Sequence, residues 1–102
     1  MLKVELTDDA MDYIFQKNTD SITVDLPNYG GWGGNFWEPA VSVGKPRSTA
    51  RYDLVNANGI EVYMYKGAES EPDGIKIFAK FKPDEFLRLH VSGLVYAQTD
   101  LG

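Results

Sequence analysis

Cysteine is absent from this 102-residue chain, and histidine occurs once, as His90. The first absence excludes thiol nucleophiles, Cys-x-x-Cys redox pairs, Cys-ligated zinc, cysteine-held iron–sulfur clusters and a disulfide-stapled scaffold. The second excludes a two-histidine metal site or zincin pair within one chain. No apolar run approaches the roughly 20 residues that span a bilayer as a helix, and Met1-Leu2-Lys3-Val4-Glu5 lacks the apolar stretch of a signal peptide. The expectation is a cytoplasmic protein with no membrane partner. Basic residues are also short, ten Lys and Arg against fifteen Asp and Glu, and the net charge of -5 disfavours nucleic acid as a partner.

What remains suits one folded domain over residues 1–102. Hydrophobic residues make up 43% and charged residues 25% of the chain, too apolar for a disordered segment. A chain of this size buries about 65% of its unfolded surface, enough for one core without metal or disulfide.

Thr7 is placed to cap a helix, with Asp8 and Asp9 in its first turn, and Leu6 and Met11 are spaced as a hydrophobic staple. Ala10, Met11, Ile14 and Phe15 give that helix an apolar stripe through about Lys17, and Asn18 ends it. The period then changes to two. Ile22, Val24 and Leu26 alternate with Thr23 and Asp25 as a strand with one buried face, stopped by Pro27. Val41 and Val43 form a second strand ending at Gly44-Lys45-Pro46. Tyr52 and Leu54 lead into Asn56-Ala57-Asn58-Gly59, and Ile60, Val62 and Met64 lead out, a hairpin with the Asn-Gly signature of a tight turn. Tyr63 and Tyr65 make its second strand apolar on both faces, as suits a central strand.

Gly67 to Gly74 reads as a solvated acidic loop, without the Asp-x-Asp-x-Asp-Gly spacing of a calcium loop. Ile75, Ile77 and Ala79 mark a fifth strand. Pro83, Asp84 and Glu85 read as the first turn of a short C-terminal helix anchored by Phe86, Leu87, Leu89 and Val91 and closed at Gly93. Val95 and Tyr96 add a final short strand. The class is α+β: a β-rich two-sheet sandwich or partly open barrel of about five to six short strands, with an N-terminal and a short C-terminal helix. A parallel sheet is disfavoured because no helix separates the middle strands.

Asn28 to Pro39 reads as a loop that holds four glycines, both tryptophans, Tyr29 and Phe36. Glycines at that density permit close approach of a ligand or a second chain, and the rings supply the amphipathic area of binding hot spots. Tyr29, Trp32, Phe36, Trp37 and Glu38 are the candidate partner-binding residues; the competing placement folds the rings back over the open end of the sandwich. A P-loop ending and a Gly-x-Gly-x-x-Gly spacing are both absent and no helix follows, which disfavours a phosphate cradle. Glu38 is its one acid, with Lys45 as the candidate counter-ion. Asp8 and Asp12 share a helix face, but two monodentate carboxylates are a poor metal site and dipole stabilisation accounts for them. His90 with Asp84 is a weak catalytic pairing beside a surface placement. Lys45, Arg47 and Arg51, with Lys76, Lys80, Lys82 and Arg88, are the candidates for a basic patch of the kind that holds single-stranded nucleic acid.

Several phrases, taken in order, resemble the HesB-like (A-type iron–sulfur carrier) superfamily, in particular its small bacterial branch marked by a Cys-Cys or selenocysteine motif. They are Leu6-Thr7-Asp8-Asp9-Ala10 with Tyr13-Ile14, Ile22-Thr23-Val24-Asp25-Leu26, Gly30-Gly31, Glu38-Pro39-Ala40-Val41-Ser42-Val43-Gly44-Lys45-Pro46, Gly59-Ile60-Glu61-Val62-Tyr63 and Asp73-Gly74-Ile75-Lys76-Ile77. The resemblance implies a compact β-rich domain with flanking helices that associates into dimers or larger oligomers. It also implies a cysteine pair in the glycine segment, where this chain has Gly31-Trp32-Gly33-Gly34, and a C-terminal cysteine pair that has no counterpart near Gly93. No metal-binding residue carries over, no cofactor is implied and no catalytic residue is assigned.

The function expected is therefore that of a non-enzymatic HesB-like domain that has lost cysteine-based iron–sulfur or redox chemistry and binds a protein partner or itself through the aromatic glycine segment. The alternative is a metal or iron–sulfur-related carrier with carboxylate and His90 ligands at an oligomer interface.

Overall fold

Local signals set the first elements. The computed structural model describes residues 2–31, 34–82, 85–95 and 99–100, and side chains within 2–27, 37–80 and 88–95. A short strand, β1 (Val4–Leu6), runs into helix α1 (Asp8–Gln16). Thr7 caps the helix, its hydroxyl oxygen accepting the Ala10 amide at 3.3 Å, and Asn18 leaves it with a φ of 60°. The Asp9 carboxylate accepts the Thr7 hydroxyl and the Ala79 amide, and the Thr7 bond above all holds its pKa below 3.8. Ala10 and Ile14 are fully buried, whereas Phe15 is 57% exposed. Phe15 lies about 140° around the helix from Ala10, at the edge of the apolar stripe.

The remaining strands are β2 (Ser21–Asp25), β3 (Asn28–Gly31), β4 (Gly34–Trp37), β5 (Ala40–Val43), β6 (Tyr52–Ala57), β7 (Ile60–Tyr65), β8 (Glu69–Ser70), β9 (Ile75–Lys82), β10 (Glu85–Ser92), β11 (Leu94–Val95) and β12 (Thr99–Asp100), with a 3-10 turn at Thr49–Arg51. A four-stranded sheet runs in the order β5-β2-β7-β6, and a three-stranded one in the order β1-β9-β10. One hydrophobic cluster joins them. Ile22, Val24, Ile60, Val62 and Met64 come from the first sheet, Leu6, Ile75, Ile77 and Leu89 from the second, and Ala10 and Ile14 from the helix. The class is α+β and β-rich, and the sheets are open, with no closed barrel among the described residues.

Four expectations need correction. Residues 85–92 form strand β10, antiparallel to β9, instead of a C-terminal helix. Leu87, Leu89 and Val91 alternate with Arg88, His90 and Ser92, a period of two that a helix cannot place on one face; Pro83 and Asp84 lie outside the described residues. Strands are also more numerous than five or six: β3 and β4 form within the glycine segment, residues 85–92 add β10, and β1, β8 and β12 have only two or three residues each, too few for a period to register. Parallel pairs do occur: β2 with β7, and β1 with β9. Long connections provide the crossovers: α1 lies between β1 and β9, while the described residues between β2 and β7 hold strands and the 3-10 turn but no α-helix. Finally, β2 is buried on both faces from Ser21 to Val24; on the outer face Thr23 donates to the Gly44 carbonyl at 2.8 Å and Ser21 to Glu61 at 3.2 Å.

The Asn-Gly hairpin follows its sequence. Asn58 and Gly59 have φ angles of 54° and 84°, and Ala57 faces Ile60, which is the two-residue turn whose twist matches the strands. β7 is central, as its two apolar faces require. Glu69, Glu71 and Asp73 are exposed, although the acidic loop also contains β8, which pairs with β11; Tyr96 lies outside the described residues. No helix among them is long and apolar enough to cross a membrane.

Candidate functional site

Strand alternation gives the four-stranded sheet an outer face very unlike its core face. Residues directly opposite one another in register point to the same side, so Ser42, Thr23 and Tyr63 share this face with Leu54. Asp25, Tyr52 and Tyr65 continue it toward the end of the sheet where Pro27 stops β2. The segment from Lys45 to Arg51 passes over these side chains and ends in the 3-10 turn, which delivers Arg51 and Tyr52 together.

The result is a cleft with two adjoining lobes. One, of about 500 Å3, is lined by Thr23, Asp25, Ser42, Lys45, Pro46, Arg47, Ser48, Arg51 and Tyr52. The other, of about 570 Å3, is lined by Asp25, Leu26, Trp37, Ala50, Arg51, Tyr52, Tyr65 and Lys66. Asp25, Arg51 and Tyr52 belong to both. The Tyr52 hydroxyl donates to Asp25 Oδ1 at 2.5 Å, a short charge-assisted bond. That bond, then burial and the negative charge of Asp25, raise the phenol above its usual value of 10.0, against the opposing pull of Arg51.

The cations here differ in engagement. Lys45 pairs with Glu61 at 3.8 Å, and Glu61 also accepts the buried Ser21 hydroxyl at 3.2 Å. Lys66 pairs with Asp53 at 2.9 Å. Among the described residues Arg47 and Arg51 belong to no ion pair.

The glycine segment is a hairpin, not a loop. β3 and β4 pair Asn28 with Trp37, Tyr29 with Phe36, Gly30 with Asn35 and Gly31 with Gly34, and β12 adds to the far side of β4. Thus β3 is an edge strand among the described residues. Of the candidate partner-binding residues, Tyr29 and Phe36 face one another in backbone register, and Trp32 lies outside the described residues. Trp37 is partly buried against the second lobe, and Glu38 is exposed, its amide donating to the Pro27 carbonyl at 3.3 Å. Lys45 engages Glu61 in place of Glu38.

Of the seven candidate basic residues, Lys45, Arg47 and Arg51 meet in the cleft, whereas Lys76 and Lys80 project from β9 beside β10, on which Arg88 faces Lys80; the Lys82 side chain lies outside the described ones. His90 lies on β10, its ring stacked on Phe78 at 5.7 Å between centroids, in place of a helix surface. Among the described residues no three His, Asp or Glu side chains gather closely enough to hold a metal ion. Sequence reasoning missed the Asp25–Tyr52 pair. Alternation does place Asp25 outward beside Thr23, but the partner comes from a strand two positions away in the sheet, which no local pattern encodes.

In comparison with known proteins, the model of the CC/Se motif containing family matches residues 2–94. No curated protein and no solved structure matches the chain.

Proposed function

The chain belongs to the CC/Se motif containing family, and we propose that it is a HesB-like member that has lost cysteine-based chemistry and keeps the scaffold to bind a protein partner or a second copy of itself. The hairpin β3–β4 carries this reading. It occupies the glycine segment in which the resemblance puts a cysteine pair, and its β3 edge has no neighbouring strand among the described residues. An edge of unpaired backbone groups is a template for pairing with another chain, and glycines let that chain approach closely. Trp37, at the end of β4, lines the second lobe of the cleft beside Leu26 and Tyr65. A general base, nucleophile or metal-ligand set would favour an enzyme; Glu38, the acid beside the hairpin, is exposed.

The test is the mass of the purified chain by light scattering. Wild-type protein is expected to self-associate or to form a complex with a captured partner. The paired substitution Trp32→Ala and Trp37→Ala is expected to shift it toward the monomer with circular dichroism unchanged. A wild-type chain that is monomeric and captures nothing, or a variant that associates as before, overturns the proposal.

A further inference from the structure

Net charge makes the first lobe of the cleft unexpected. The chain carries -5 overall, yet Lys45, Arg47 and Arg51 converge on one hollow of about 500 Å3 that also offers the hydroxyls of Thr23, Ser42 and Ser48. Lys45 is held by Glu61, but Arg47 and Arg51 have no ion-pair partner among the described residues. Asp25 also lines this lobe, and its Oδ1 accepts the Tyr52 hydroxyl. Two guanidinium groups that line one hollow without an ion-pair partner favour an anion there, and a phosphate or carboxylate accepts their hydrogen bonds.

The second lobe has a different character. Trp37, Tyr52 and Tyr65 contribute rings, and Leu26 an apolar side chain; such faces hold planar groups by stacking. The lobes meet at Asp25, an acceptor for a ring N–H or amino group and a repulsive one for a second anion. Volumes of about 500 and 570 Å3 are in the range of small-ligand sites.

We propose that the cleft between the Lys45–Arg51 segment and the outer face of the four-stranded sheet binds a small anion bearing a planar ring, of the class of a nucleoside monophosphate. Arg47 and Arg51 hold the anionic group, and Trp37 and Tyr52 flank the ring. The site is distinct from the strand edge used for association and shares only Trp37 with that reading.

Calorimetric titration of the full chain with AMP, adenosine and inorganic phosphate tests it. AMP is expected to bind more tightly than either of its parts, with an affinity that falls as salt rises. Arg47→Ala and Arg51→Ala, both at exposed positions, are each expected to weaken AMP about tenfold or more, the effect of losing one charge-assisted hydrogen bond. Lys80→Ala, on the other sheet, leaves it unchanged. No saturable binding of AMP, equal affinity for AMP and phosphate, or arginine variants that bind as the wild type does would each overturn the proposal. Light-scattering mass of the same variants keeps the outcome separate from that of the association experiment, since neither arginine lies on the hairpin.

Discussion

Tyr52 and Asp25 sit on strands that do not touch: β7 lies between β6 and β2 in the sheet, and the 2.5 Å bond passes over it. It is a side-chain tie across three strands, made just where the two lobes meet. Tyr52→Phe keeps the ring and removes the donor, leaving the carboxylate unsatisfied but still partly open to water, so a loss of about 1 kcal/mol is expected. The sign of the pH dependence follows from the raised phenol. Folding favours the neutral hydroxyl, so the contribution is complete below the unfolded value near 10.0 and is lost as pH rises through the higher folded value. Urea midpoints of wild type and Tyr52→Phe at pH 8 and at pH 11 check this: the gap is expected at pH 8 and to narrow at pH 11.

Among the elements, the approach of two loops sets the tightest constraint. Gly93, between β10 and β11, has a φ of 89°, and a Cβ placed on it would collide with the carbonyl oxygen of Gly74, itself at a φ of 88° before β9. The Glu71 amide donates to the Gly93 carbonyl at 2.7 Å across the same crossing. Gly93→Ala therefore combines a left-handed backbone with a clash against main chain, and a loss of about 3 kcal/mol is expected by chemical denaturation. A loss below about 1 kcal/mol would mean that the crossing is looser than the geometry implies. Gly93 also shows what the sequence could and could not reveal. Its conformational role was visible, but a helix stop and a close crossing of two strand ends look alike in one dimension. The capped helix, β2, β5, the Asn-Gly hairpin and β9 were legible because each carries its own period or turn chemistry. Strands β1, β8 and β12 were not, since their existence depends on partners far along the chain. Likewise, Arg47 and Arg51 stood out as basic residues, while their separation from Lys76, Lys80 and Arg88 came only from sheet order.

At the scale of the whole molecule, its first strand finds its place late. β1 pairs in parallel with β9, Val4 against Ile75, and the Thr7 amide donates to the Ile77 carbonyl; at the other end of the chain, Asp100 pairs with Asn35. During synthesis the helix and β1 leave the ribosome long before the strand that completes their sheet exists, so the apolar side chains of Leu6 and Ile14 wait without a core. Such distant pairings also pay loop-closure entropy before any contact rewards them, which places refolding on the order of milliseconds to seconds despite the chain's small size. Stopped-flow refolding from urea measures it directly, and a relaxation of a few microseconds would contradict the pairing. The cost of closing the sheet with the first strand of the chain is thus borne as time, in an interval when the nascent protein has most need of a chaperone.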